Sequence, residues 1–304
     1  MTYGLITELN ELIALRRLVS RKRRHLGARA AKTGSHLSFI RGRGMDFAEV
    51  RNYQAGDEIR HMEWRVTART GRPHIKVYQE ERERPVILIV DFNPSMYFGT
   101  RHAFKSVIAA RLAALIAWTA ISQGDRVGAL LFSPREHNEF MPKSREAGVL
   151  PLLASLNHYT KQFRQVQNEN KSVPLNQILS KLNRVARPGS LIILISDFYE
   201  LDEKCESHFS RLKLNNDILT YHICDPLELS PPKPALYAIT DGKQELLLDT
   251  TYSKLAEDYK AWCDNQQFKI QTNLKRLHIP YSQVTAQTDL SQLVNQTFPR
   301  RQRV

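Results

Sequence analysis

Two apolar, strand-like runs in this sequence end in an aspartate: VILIVD closes at Asp91 and continues D-F-N-P-S, and LIILISD closes at Asp197. In an open α/β sheet, ligands bind beyond the carboxyl ends of the strands, where loops and helix amino termini converge. Both runs are unbroken Val, Ile and Leu, the pattern of parallel strands buried on two faces. The two carboxylates are therefore expected at one rim of one sheet. The D-x-N-x-S spacing turns Asp91, Asn93 and Ser95 inward along a single loop. A carboxylate, an amide oxygen and a hydroxyl are hard oxygen donors, a set that suits Mg²⁺. The same residues have a plainer reading, in which Asp91 braces the loop or caps a helix and Ser95 is a turn or N-cap hydroxyl. Asp197 alone carries little specificity, since an aspartate after a buried strand is common in α/β sheets.

Catalytic alternatives lack their residues. A phosphohydrolase of haloacid-dehalogenase type also starts from an aspartate after the first strand, but it needs a second aspartate two residues on to protonate the leaving group, and that position is Asn93. The sequence has no G-x-x-x-x-G-K-[ST] loop, no G-x-S-x-G elbow and no H-E-x-x-H pair. His61, His74, His102, His137, His158, His222 and His278 show no ligand spacing. A non-catalytic protein is expected. Cys205, Cys224 and Cys263 form no CxxC or Cys/His pattern, which argues against a disulfide framework or structural zinc and for a reducing, cytoplasmic setting. The amino terminus lacks the pattern of a signal peptide. The most apolar window, 106–121, contains Arg111 and falls short of the about 20 residues that span a bilayer, so it reads as a buried helix.

The chain of 304 residues carries 44 Lys and Arg against 31 Asp and Glu, a net charge of +13. Such a balance invites an acidic protein, an anionic surface or nucleic acid. Basic residues cluster at 16–24, between Arg41 and Arg84, and in the tail at Arg300, Arg301 and Arg303, without an aromatic-rich RNA-binding motif among them. A partner-facing or solvated surface fits better than a nucleic-acid groove, and nucleic-acid or anionic-surface binding is the alternative function. A second constellation, Asp57, Glu58, Arg60, Glu63, Trp64, Arg65 and Arg69, surrounds one tryptophan with alternating charges. In one reading Asp57 braces a turn, Arg60 and Arg65 pair with Glu58 and Glu63, and Trp64 fills a seam. In the other, Arg60, Trp64, Arg65 and Arg69 form a recognition edge for an acidic partner, because Arg and Trp are the types that anchor interfaces.

The elements that must position these groups follow from periodicity. Residues 5–23 carry an apolar stripe at helical spacing, and 25–38 read as a loop. Residues 41–84 read as short strands, MDFAEVRNY, MEWRVTART and HIKVYQEE, separated by turns. From Pro85, strands at 86–91, 127–132, 191–197 and 218–224 alternate with helices near 103–122, 146–157, 174–186 and 202–213. This is an α/β pattern with a doubly wound, mostly parallel sheet. A hairpin around Asp241-Gly242 is expected to join the earlier β unit, and a helix at about 252–277, a strand PYSQVTA and a last helix complete the chain. The resulting domains are an N-terminal helix and loop at 1–39, a small β unit at 40–84 joined by the hairpin at 236–249, the parallel-sheet domain at 85–300 and a basic tail at 301–304.

The segments GRGMDFAEVRNYQAGDEIRHMEWRVTART (42–70), HIKVYQEERERPVILIVD (74–91), GTRHAFKSVIAARLAALIAWTAISQGDRVGALLF (99–132) and PGSLIILISDF (188–198) together resemble the bacterial domain-of-unknown-function 58 family, over about residues 35–300. The resemblance implies a von Willebrand factor A-like domain with a metal-ion-dependent adhesion site of pattern D-x-S-x-S, a threonine from a second loop and an aspartate from a third. Asp91, Ser95 and Asp197 match that pattern. Asn93 departs from it, keeping an oxygen donor but adding bulk and a competing NH₂. For the second-loop threonine, Ser172 is the nearest match and Thr160 a poorer one, so the site is degenerate and Mg²⁺ is its candidate ion. The resemblance further implies a protein that works with a MoxR-type AAA+ ATPase as an adaptor or co-chaperone toward a client, with the rim around Asp91, Ser95 and Asp197 as the prime interaction surface. Many relatives carry membrane helices ahead of this region, and this sequence resembles the short soluble branch.

Overall fold

The computed structural model describes residues 4–19, 45–80, 83–100, 102–166, 171–240 and 245–298. The loop at 25–38, most of the basic run at 16–24, the hairpin tip at 241–244 and the basic tail lie outside the described residues. The chain divides into two compact units, Met1–Leu26 with Arg84–Pro299, and Gly27–Glu83 with Arg300–Val304.

In chain order, helix α1 (Leu9–Ala14) comes first. The smaller unit follows: β1 (Met45–Asn52) pairs antiparallel with β2 (His74–Glu80), and a 3-10 turn (Ile59–His61) and helix α2 (Trp64–Thr70) lie between them. Residues 64–70 were expected as a strand, because Trp64, Val66 and Ala68 alternate with polar residues. They form a helix because both ends are capped. The Glu63 carboxylate accepts from Arg65 N at 3.3 Å, and Gly71, at φ 70°, donates its N–H to Thr67 O at 2.9 Å. A left-handed residue after the last turn stops a helix there, and glycine adopts that conformation without a Cβ clash.

The larger unit is built on a six-stranded sheet. It runs β3 (Pro85–Asp91), α3 (Lys105–Ser122), β4 (Arg126–Phe132), β5 (His137–Lys143), α4 (Glu146–Lys161), α5 (Leu175–Val185), β6 (Leu191–Ser196), α6 (Glu203–Asn215) and β7 (Asp217–Ile223). A hairpin of β8 (Leu236–Thr240) and β9 (Glu245–Asp249), helix α7 (Ser253–Arg276), β10 (Tyr281–Val284) and α8 (Leu290–Thr297) finish it. The spatial order is β10-β7-β6-β3-β4-β5. Counted along the chain this is 3-2-1-4-5-6, with the topological switch between β3 and β6, the doubly wound arrangement expected. Ile89 and Leu194, paired in register, are both fully buried, as strands covered on two faces must be.

One further expectation is corrected, and one strand was not foreseen. The hairpin at 236–249 was assigned to the small β unit; β8 and β9 instead form a two-stranded sheet of their own within the larger unit. The edge strand β5, HNEFMPK, was not foreseen, because it is polar and mostly exposed rather than an apolar run. It pairs antiparallel to β4 with a register shift between Val127 and Ala129. Gly128 makes that approach possible, since a Cβ there would lie 2.6 Å from Phe140 O. Pro142 and Lys143 blunt the edge against further pairing.

Helix α3 is long and apolar enough to cross a membrane by length and composition, at a mean hydropathy of 1.4, yet 83 % of it is buried within the protein. It is the core helix of the larger unit. Helix α1 belongs to the same unit, with Leu12 in the core, Trp118 Nε1 donating to Leu12 O at 3.0 Å, and Glu11 paired with Arg111.

Candidate functional site

The switch point places Asp91 and Asp197 at one rim, as the two buried strands require. What surrounds them differs from the expected donor set. Asp91 is buried with both oxygens engaged: Oδ1 accepts from Asn93 N at 2.8 Å and Oδ2 from Ser196 Oγ at 2.6 Å. Burial, and next the charge of Asp197, push its pKa well above the ordinary carboxylate range, although the two hydrogen bonds and Lys105 oppose this. Asn93 turns its amide away from Asp91 and onto the backbone of Val173, accepting from Val173 N at 2.8 Å and donating to Val173 O at 3.1 Å. That paired bond pins the loop ahead of α5 to the loop after β3. Ser95 is half-buried in the 3-10 turn Pro94–Tyr97, and Ser172 is half-buried beside the clamped Val173. Thr160 stands elsewhere, bracing the amino-terminal segment through Thr7 N at 3.1 Å and Thr7 Oγ1 at 3.0 Å.

The residue missing from the sequence reading is Lys105. It is the first residue of α3 and only 1 % exposed, and its Nζ donates to Asp197 Oδ2 at 2.9 Å and to Glu228 Oε1 at 2.6 Å. It also lies 5.1 Å from the centre of the Tyr199 ring. Burial alone would lower its pKa, but the charges of Asp197 and Glu228 and their hydrogen bonds more than reverse this, and the ammonium is held above its ordinary value. A cation at a helix amino terminus opposes the macrodipole, so its place there depends on those carboxylates. Glu228 is fixed in turn by a capping box: Asp225 N donates to Glu228 Oε2 at 2.8 Å, and Asp225 Oδ1 accepts from Leu227 N at 3.0 Å. Asp225 also receives Thr100 N at 2.9 Å and Thr100 Oγ1 at 2.8 Å, tying the β3 loop to the β7 loop. A signal for Lys105 did exist, in the single lysine that opens the apolar run KSVIAARLAALIAW.

The backbone between the aspartate and Tyr199 is strained. Phe198 is buried at φ 59°, where a bulky residue rarely sits. Its N–H donates to Ser196 Oγ at 3.0 Å, and Tyr199 N reaches Asp197 Oδ1 at 3.2 Å. Next to it, His222 is buried with Nδ1 2.6 Å from Tyr281 Oη and its ring edge-on to Phe198. Burial drops its pKa from 6.5 to about 4.

With Lys105 in place this donor set does not fit Mg²⁺. A hard divalent ion needs several free oxygens. Here the amide oxygen of Asn93 is spent on Val173, both oxygens of Asp91 accept from Asn93 N and Ser196 Oγ, and the ammonium of Lys105 already sits on Asp197. Among the described residues no three His, Cys, Asp or Glu side chains are grouped to hold a metal ion.

The second constellation, in the smaller unit, is exposed. Trp64 is 65 % exposed, and Arg60, Arg65 and Arg69 are exposed with it. Arg65 and Arg69, four residues apart on α2, share one side of the helix. Asp57 braces its turn as expected, accepting from Gln54 N at 2.8 Å, while Glu58 and Glu63 take other partners than Arg60 and Arg65. Asp57 accepts from Arg51 through two bonds of 2.9 and 2.7 Å, Glu63 pairs with Lys76 at 2.6 Å, and Glu58 with His61 at 3.1 Å. The Arg51 hydrogen bond holds Asp57, and the Lys76 hydrogen bond holds Glu63, below their ordinary pKa values.

The model of the family described as "Protein of unknown function DUF58" matches residues 49–269. The chain belongs to this family. Two proteins described as uncharacterized, one from Mycobacterium tuberculosis and one from Mycobacterium bovis, are each similar at 25 % identity over 225 residues, covering 74 % of this chain and 69 % of the relative. Among solved structures, the conserved hypothetical protein BatB from Bacteroides thetaiotaomicron is similar at 12 % identity and a TM-score of 0.41, covering 70 % of this chain and 96 % of that one. A von Willebrand factor type A protein from Catenulispora acidiphila is similar at 13 % identity and a TM-score of 0.33, covering 63 % and 44 %. In its sheet order and flanking helices this DUF58 chain is a doubly wound α/β protein with a mostly parallel sheet.

Proposed function

We propose that this DUF58 protein is a non-catalytic, cytoplasmic interaction module that serves a MoxR-type AAA+ ATPase as adaptor or co-chaperone toward a client protein. Membership of the family and the α/β fold support the coarser part, a protein-interaction module. The observation that carries a recognition role is the capped helix α2, with Trp64 65 % exposed among Arg60, Arg65 and Arg69. An exposed tryptophan costs hydrophobic free energy while it is uncovered, and the arginines around it select an acidic partner through bidentate carboxylate contacts. The local carboxylates Asp57, Glu58 and Glu63 are engaged by Arg51, His61 and Lys76. They therefore do not compete for that role.

The test is affinity capture of the tagged full chain and of the Arg65→Glu/Arg69→Glu variant, at moderate and at high salt. Recovery of a MoxR-type ATPase by the wild type at both salt levels, lost in the variant with an unchanged melting temperature, is expected. Equal recovery by both chains removes α2 from the reading. Recovery only of nucleic acid that washes off steeply with salt, the mark of counterion release, replaces the adaptor reading with a charge-driven binder.

A further inference from the structure

The rim of the larger unit has the topology of a cation site and the charges of one already filled. Asp197 and Glu228 meet at one ammonium, from the end of β6 and from the turn Pro226–Leu229, and Asp91 stands at the same rim at the end of β3. Carboxyl groups brought out of water in this way need compensation, because uncompensated buried charge is among the costliest arrangements in a folded chain. Among the described residues the positive charge set against them is covalently attached: Lys105 Nζ, 2.9 Å from Asp197 and 2.6 Å from Glu228.

We propose that Lys105 is the resident cation of this rim, a tethered ammonium in the place a divalent ion would take, so that the site is closed to metal and stays so until Lys105 is removed. Four features support this independently of any partner. Lys105 lies at the amino terminus of α3, where the macrodipole disfavours it, so no local propensity explains its position. Glu228 is oriented toward it by a capping box that uses the other carboxylate oxygen. Asn93, where a hydroxyl would have offered the ion a small ligand, is instead committed to Val173 through both ends of its amide. Ser196 Oγ directs its proton to Asp91 and accepts from Phe198 N, so this hydroxyl is already committed within the rim. The rim is a covalently self-sufficient counterpart of a metal site, and an acidic partner cannot be captured there through a bridging ion.

The experiment uses Mn²⁺ as the probe, followed by the loss of its free-ion electron paramagnetic resonance signal, with melting temperatures in EDTA and in Mg²⁺ alongside. The wild type is expected to leave the Mn²⁺ signal undiminished and to melt at one temperature in both buffers. Lys105→Met, which keeps length but not charge, is expected to melt lower in EDTA, to bind one Mn²⁺ per chain and to regain melting temperature with it. Lys105→Met/Asp197→Asn is expected to lose that binding. Stoichiometric Mn²⁺ binding by the wild type, abolished by Asp91→Asn or Asp197→Asn, overturns the proposal. So does a Lys105→Met protein that melts with the wild type in EDTA. The wild-type titration stands even if Lys105→Met does not fold, and Lys105→Arg, which keeps the charge, supplies a folded control that must remain blind to Mn²⁺.

Discussion

Two regions of this chain look alike in sequence, each a short stretch of mixed charge around a few polar residues, and they end in opposite states. At the rim, Asp91, Asn93, Asp197, Lys105 and Glu228 are buried or nearly so, and each is bound to another part of the larger unit. On α2, Arg60, Trp64, Arg65 and Arg69 face solvent while the neighbouring carboxylates are paired away from them. The rim residues had the spacing of a ligand site and serve as internal braces. The α2 residues had only composition to recommend them and are the ones a partner can reach. Spacing along one loop fixes which side chains start out together, but which groups remain unsatisfied depends on what the rest of the fold delivers.

The sharpest way to break this comparison is Lys105→Met. Removing one member of a buried ion pair costs about 3–5 kcal/mol, read as a fall in unfolding free energy by denaturant titration. A loss below about 1 kcal/mol, typical of exposed pairs, makes the rim no different from the surface.

Acid titration comes next. His222 has its pKa lowered by burial from 6.5 to about 4, so the folded state holds it neutral where the unfolded chain would protonate it. Its contribution is fully present above about pH 6.5 and is lost as pH falls through the window toward about 4, amounting to about 3 kcal/mol. The raised pKa of Asp91 works in the opposite sense, favouring the fold at low pH and losing that benefit as pH rises through the folded value. The wild type is therefore compared with His222→Gln, whose acid limb should be flatter by the histidine's share; identical pH profiles remove His222 from the account.

A smaller effect is expected from Asn93→Ser, which restores the D-x-S-x-S spacing. If spacing made the site, this variant would bind Mg²⁺. Here it should instead lose about 1–3 kcal/mol, because Val173 N and O lose their paired partner, with no rise in melting temperature on adding Mg²⁺. Arg65→Glu/Arg69→Glu should change stability least, within about 0.5 kcal/mol as for exposed positions, while partner capture is lost.

Much of the fold was legible before any coordinates. Unbroken runs such as VILIVD and LIILIS can be buried only on two faces, so a parallel sheet and a shared rim for Asp91 and Asp197 followed directly. The helix at 105–122 was equally plain from its length and composition. The segment at 64–70 was not, because its apolar residues fit a period of two, and only the caps at Glu63 and Gly71 decide for a helix. Strand β5 was hidden because an exposed edge strand needs no apolar pattern.

By itself, then, the sequence determined the family, the doubly wound sheet and the rim at which its acidic strand ends meet, since each rests on local pattern or on the rules of strand order. Only the tertiary structure decided what the rim is. Lys105 meets Glu228 across 123 residues and Asn93 meets Val173 across 80. No periodicity records such pairings, because they arise when separate crossovers bring distant loops to one end of the sheet. There, burial makes every charge seek the nearest opposite charge the fold supplies.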